Sequence, residues 1–159
     1  MIELQADSEE LKKIQRYASD SRFQELVKKA LTGAGLELEN KIVENVYERA
    51  SNTGRLGQSW NVKAIDYKQV KVFSNLLYAP FVEYGTKPHR PPIEPIYNWV
   101  RQKFQTGGEE ARGIAWAVWN KIAEKGTPEK RYVRDAISSF NLDKWLKELI
   151  RNWESEVGK

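Results

Sequence analysis

Leu11, Ile14 and Ala18 recur at helical spacing behind Asp7, and Glu10 follows Asp7 at the offset of a capping box. That pattern predicts a short first helix. From Asp20 or Ser21 onward, Phe23, Leu26, Val27, Ala30, Leu31 and Ala34 share one face, and Leu38, Ile42, Val46 and Ala50 continue it in nearly the same phase. One long helix over residues 20–50 is expected. Gly33 and Gly35 each weaken it by about 1 kcal/mol relative to alanine and leave room for a kink. Ser51-Asn52-Thr53-Gly54 is turn chemistry and ends it.

The period then changes from helical to alternating. Trp60, Val62 and Ala64 alternate with polar neighbours, as do Val70, Val72 and Ser74, which predicts two strands joined through Ile65–Lys68 as a hairpin. A third short element, Leu76–Tyr84, is apolar and aromatic and is interrupted by Pro80. Four of the six prolines fall within Pro88–Pro95, so that stretch reads as a stiff extended loop. Pro95 suits a first helical position ahead of Ile96, Trp99, Val100 and Phe104. After Gly107-Gly108 comes an amphipathic stripe of Ala111, Ile114, Ala115, Val118 and Ile122, ended by Gly126. Thr127-Pro128 opens a helix carrying Val133, Ala136, Ile137 and Phe140, and Leu142, Trp145, Leu146, Leu149, Ile150 and Trp153 line a last one. The expected architecture is one α+β domain over residues 1–159, with a small antiparallel β-sheet packed against a long N-terminal helix and additional C-terminal helices. Within it, residues 1–19 form a helical arm, 87–108 a proline loop with an extra helix, and 142–159 a helical extension.

Composition narrows the chemistry. The 159 residues include no cysteine and one histidine, which leaves no thiol nucleophile and no histidine-rich metal site. Apolar runs stay well short of the roughly 20 residues of a membrane helix, and the acidic start is unlike a secretory leader, so no membrane contact is expected. Net charge is only +4, but residues 63–131 carry 12 basic and 7 acidic groups and hold the whole excess. That excess reads first as a mixed solvated surface, and second as a weakly attractive face that would bind phosphates without reading sequence. His89, between Pro88 and Arg90, has no neighbour to orient it as a general base. Glu109-Glu110 suits a helix start, and Gly107-Gly108 lacks the rest of a phosphate loop. No enzyme, cofactor or metal is expected. The six tryptophans read first as ordinary core filling; the competing reading is that part of this aromatic surface contacts other subunits.

Three motifs carry more. Asn52-Thr53-Gly54-Arg55-Leu56-Gly57-Gln58-Ser59 follows the long helix, and Tyr78-Ala79-Pro80-Phe81-Val82-Glu83-Tyr84-Gly85-Thr86 follows the second strand. Gly126-Thr127-Pro128 with Arg131-Tyr132-Val133 and Ala136 comes later. Gly54 and Gly85 stand where a turn needs positive φ or a close backbone approach. Arg55 can reach a carboxylate, and Glu83 is the nearest motif candidate, within or between subunits. Together the three segments resemble the signature of bacteriophage neck and tail-completion proteins. In these a "TGRL…S" turn and a "YA..VE.GT" segment flank a hairpin, and a "GTP…R.F" segment follows. The resemblance spans about residues 20–140. The insertion His89–Phe104 and the helix Leu142–Val157 depart from its pattern.

The resemblance implies a structural virion protein that joins the tail to the DNA-filled head and performs no catalysis. It implies a homo-oligomeric ring of six copies, assembled in the host cytoplasm. A tail tube or terminator protein would lie on one side and a head-completion or adaptor protein on the other, with non-specific contact to channel DNA. The residues it marks are Asn52, Gly54, Arg55, Leu56, Ser59, Tyr78, Ala79, Val82, Glu83, Tyr84, Gly85, Thr86, Gly126, Thr127, Pro128 and Arg131. The rival readings are a nucleic-acid-binding accessory module, another minor tail or head-completion component, and, least supported, a hydrolase.

Overall fold

A computed structural model describes residues 9–50 and 53–157. The Asp7 cap and motif residue Asn52 lie outside the described residues. After α1 (Glu9–Tyr17), helix α2 runs without interruption over Ser21–Arg49. Asp20 caps it, accepting hydrogen bonds from the Arg22 and Phe23 amides at 2.8 and 3.4 Å. At 1.5 Å per residue the helix is about 43 Å long and is the spine of the molecule.

Gly33 and Gly35 do not break α2; they let neighbours approach it. A Cβ on Gly33 would sit 2.8 Å from the Trp145 ring, and one on Gly35 would meet Val70 and Val62 at 2.8 and 2.9 Å. The hairpin and the C-terminal helix therefore lie closer to α2 than a side chain would permit.

The turn helix α3 (Arg55–Gln58) leads into β1 (Trp60–Ala64), which pairs antiparallel with β2 (Val70–Ser74). Trp60 is opposite Ser74, Val62 opposite Val72, and Ala64 opposite Val70. This face turns toward α2. The other presents Asn61 opposite Phe73 and Lys63 opposite Lys71. The sheet has these two strands.

Helices α4 (Ala79–Tyr84), α5 (Ile93–Phe104), α6 (Gly108–Lys125), α7 (Tyr132–Ser138) and α8 (Leu142–Val157) complete an α+β fold. The open element Leu76–Tyr84 becomes α4, with Pro80 in its first turn. Three boundaries differ from expectation: Thr127-Pro128 does not open a helix, since α7 begins at Tyr132 and ends before Phe140. The TGRL turn closes into α3, and α5 starts at Ile93, so Pro95 lies inside its first turn and the proline loop ends at Pro92. A first turn has amides without intrahelical acceptors, so a proline costs little there.

Three clusters fill the interior. Leu38, Ile42 and Val46 of α2 meet Leu56, Ala79, Tyr132 and Ala136. Phe23 and Val27 meet Leu149, Ile150 and Trp153, so the C-terminal helix supplies half of a core. Val100, Ala111 and Ala115 form a third cluster between α5 and α6.

Candidate functional site

The three motifs converge. Glu83 is 3% exposed and is the buried charged residue among the described residues. It lies on α4, one turn beyond Ala79, and its carboxylate faces the start of α7. Arg131, the residue before α7, has φ of 53° and gives that helix no side-chain cap. Glu83 takes the capping role from a distance: Oε2 accepts from the Val133 amide at 2.8 Å and Oε1 from the Arg134 amide at 3.1 Å. A carboxylate there also complements the helix dipole.

The charge is matched by Arg134. Its Nε donates to Glu83 Oε1 at 2.9 Å, and its Nη2 donates to the Glu83 carbonyl oxygen and to Glu129 Oε2 at 3.2 and 2.7 Å. The guanidinium also stands 4.9 Å from the centre of the Tyr84 ring. Hydrogen bonding to Arg134 holds the Glu129 carboxyl below its ordinary range. Glu129 first, then Glu83, raises Arg134. The Arg55–Glu83 pair expected from the sequence therefore does not form within a subunit. Both oxygens of Glu83 are taken by α7, while Arg55 is exposed on α3.

Tyr132 extends the junction inward. It is 1% exposed, its hydroxyl donates to the Ala79 carbonyl oxygen at 2.8 Å, and its ring meets Trp60 edge-on at 6.1 Å. Its own carbonyl oxygen accepts from Asn45 Nδ2 at 3.0 Å, tying α7 to α2. Burial, and then the nearby Glu83, push the phenol well above its ordinary range.

The second tie is a pair of matched Gly-Thr turns. Thr86 and Thr127 form an antiparallel bridge. The Thr86 amide donates to the Thr127 carbonyl oxygen at 3.0 Å, and the Thr127 amide donates to Thr86 Oγ1 at 3.0 Å. The two hydroxyls also lie 3.0 Å apart. Gly85 and Gly126 have φ of 71° and 73°, and a Cβ on either would fall on the other segment's backbone. Both positions require glycine.

The first motif is fixed to the sheet. Gly54 has φ of 76°, Leu56 is buried, and Ser59 Oγ bonds the Leu56 carbonyl oxygen and Ser74 Oγ at 2.7 Å each. Val82 lines the main core, and its carbonyl oxygen accepts from the Lys130 amide at 3.1 Å. Tyr78, Phe81 and Tyr84 point outward, and Pro128 is exposed. Arg131 pairs with Asp135 and Glu129 at 3.3 and 3.5 Å. Sequence reasoning missed Arg134 and Glu129. The available signal was an arginine three residues after Arg131, in the first turn of a helix lacking a capping side chain.

His89 Nδ1 faces the Lys87 carbonyl oxygen at 3.0 Å and Thr86 Oγ1 at 3.3 Å, with no carboxylate to orient it among the described residues. The proline loop lies on α6, where Trp119 Nε1 donates to the Pro91 carbonyl oxygen at 2.7 Å. No helix among the described residues is long and apolar enough to cross a membrane.

Residues 9–85 match the HK97-gp10-like family model, described as "Bacteriophage HK97-gp10, putative tail-component". The match covers α1 to α4, with the first motif and the second up to Gly85. Comparison with curated proteins gave no match, and comparison with solved structures gave none. The resemblance to phage tail-completion proteins therefore holds over residues 9–85, where the chain is similar to a family of tail-related structural proteins of bacteriophages.

Proposed function

We propose that this protein is a structural virion component that closes into a homo-oligomeric ring in the neck of a tailed phage and joins the tail to the DNA-filled head. The observation that carries the reading is the family match across the long helix, the hairpin and the first two motifs. The buried ties among the motifs support a rigid building block, since Glu83, Tyr132 and the Gly-Thr turns are used in holding elements together. Exposed Leu77, Phe81, Tyr84 and Trp116 suit permanent protein contacts. A ring requires two different complementary faces on each subunit. Its neighbours are a tail tube or terminator protein on one side and a head-completion or adaptor protein on the other, with assembly in the host cytoplasm. The basic middle segment favours a surface near channel DNA.

The test is a phage lacking this gene. Filled heads and separate tails should accumulate, and purified protein added to the lysate should restore joined particles. Normal joining without the protein would overturn the reading. The same basic segment favours a nucleic-acid-binding module as the second reading, and it predicts gel shifts that weaken steeply with salt.

A further inference from the structure

We infer that β1 of one copy pairs edge to edge with β2 of the next, so that the hairpins of neighbouring copies form one continuous sheet. This rests on the reading of the chain as a ring component and names the faces that meet.

The backbone supplies the first part. The Ile65 amide donates to the Gln69 carbonyl oxygen at 2.9 Å, which sets the alternation of the antiparallel ladder. In that alternation Trp60, Val62 and Ala64 turn their amides and carbonyls away from β2, and Val70, Val72 and Ser74 turn theirs away from β1. Among the described residues no backbone bond links those six to another element. Both edges are open, and open edges pair with strands.

The two edges lie on opposite flanks. Along β2 runs a groove of about 640 Å³, walled by α4 and α7 and lined by Trp60, Val72, Ala79, Pro80 and Tyr132. Leu77 and Tyr84 stand on this flank, 92% and 65% exposed. The Trp60 indole N–H in the groove wall is buried without a hydrogen-bond partner. On α2, Asn45 bonds α7, while Leu36 and Tyr47 lie roughly 100–120° round the helix from Gly35 in the other direction. Leu36 and Tyr47 are about half exposed, and the Tyr47 ring packs on Gly57, just before β1. So the β1 edge shares its flank with Leu36 and Tyr47, and the β2 edge shares its flank with Leu77 and Tyr84.

Each flank offers an open strand edge and exposed apolar side chains, and the second copy supplies the missing half. Adding two strands per copy moves the next α2 by roughly 9–10 Å, which is a helix-packing distance. The contact joins unlike faces, so it propagates around a ring.

The absence of cysteine makes the test direct. Gln58→Cys marks the β1 flank and Leu77→Cys the β2 flank, both at exposed positions. A short bis-maleimide is applied to each variant of the full chain alone and to their mixture, as concentrated protein and in joined particles. The mixture should give a cross-linked dimer and neither variant alone should. Self-linking of either single variant would mean a two-fold contact and overturn the inference, as would a mixture without cross-links in both settings. Particles that join normally without a cross-link between the two variants would sink this contact and leave the neck reading standing. A link in the mixture, with joining unaffected by loss of the gene, would do the reverse.

Discussion

Arg134 Nε donates to Glu83 Oε1 at 2.9 Å, and the two residues stand fifty-one positions apart in the chain. The bond joins the helix that ends the family match to a helix well beyond it. Glu83→Ala should cost about 3 kcal/mol, because it leaves two helix amides and the Arg134 Nε–H without their acceptor. Arg134→Ala should also destabilise, and the double mutant should lose less than the sum. Arg55→Ala should add independently to Glu83→Ala within about 0.5 kcal/mol, which urea unfolding of all the variants measures.

Tyr132 predicts a limit on the alkaline side. Its folded pKa is raised from the ordinary 10.0 by burial and by Glu83, so the unfolded chain ionises first and stability falls as pH rises above that value. Tyr132→Phe should flatten this slope while costing about 1 kcal/mol at neutral pH through the lost bond to the Ala79 carbonyl. Urea midpoints from pH 7 to 11 decide it.

On the acid side the sign reverses. Arg134 holds Glu129 below its ordinary 4.5, and Arg49, then Arg131, hold Asp135 below 3.8. Both contribute stability above those values and lose it as pH falls through the depressed folded pKa. Glu129→Gln with Asp135→Asn should reduce the drop in urea midpoint below pH 4.5, and an unchanged acid limb would show that other carboxylates set it.

Glycine substitutions should separate by backbone conformation. Gly113 lies inside α6 with nothing near its missing Cβ, so Gly113→Ala should stabilise by up to about 1 kcal/mol. Gly35→Ala gains the same propensity but drives a methyl into Val62 and Val70, and should lose about 1–3 kcal/mol net. Gly85→Ala and Gly126→Ala meet both positive φ and opposing backbone and should be the most damaging. Thermal melts of the four variants give the order.

The same glycines show what was readable beforehand. Periodicity revealed α2 and the hairpin because each buries one face along its whole length, so the pattern repeats every turn or every second residue. It cost Gly33 and Gly35 as helix defects, since their benefit lies in Trp145 and Val70, which are far away in sequence. Gly54 and Gly85 were legible as turn residues because positive φ is a local demand. The partner of Glu83 was not, since a carboxylate accepts from any nearby arginine and only the fold selects Arg134 over Arg55. The open β-edges were hidden for a similar reason: strand propensity does not say how many neighbours a strand acquires.

Where Thr86 meets Thr127, the chain leaves the body of the protein and returns to it at one point. Everything between is α5, α6 and their connections, whose cluster of buried residues is drawn from those two helices alone. The family match stops at the residue before this gate. A segment whose two ends are already held together can be lengthened, shortened or exchanged without stretching what lies on either side. The α5–α6 hairpin is therefore the part most open to remodelling, a cassette on which a new partner specificity could be written while the body stays as it is.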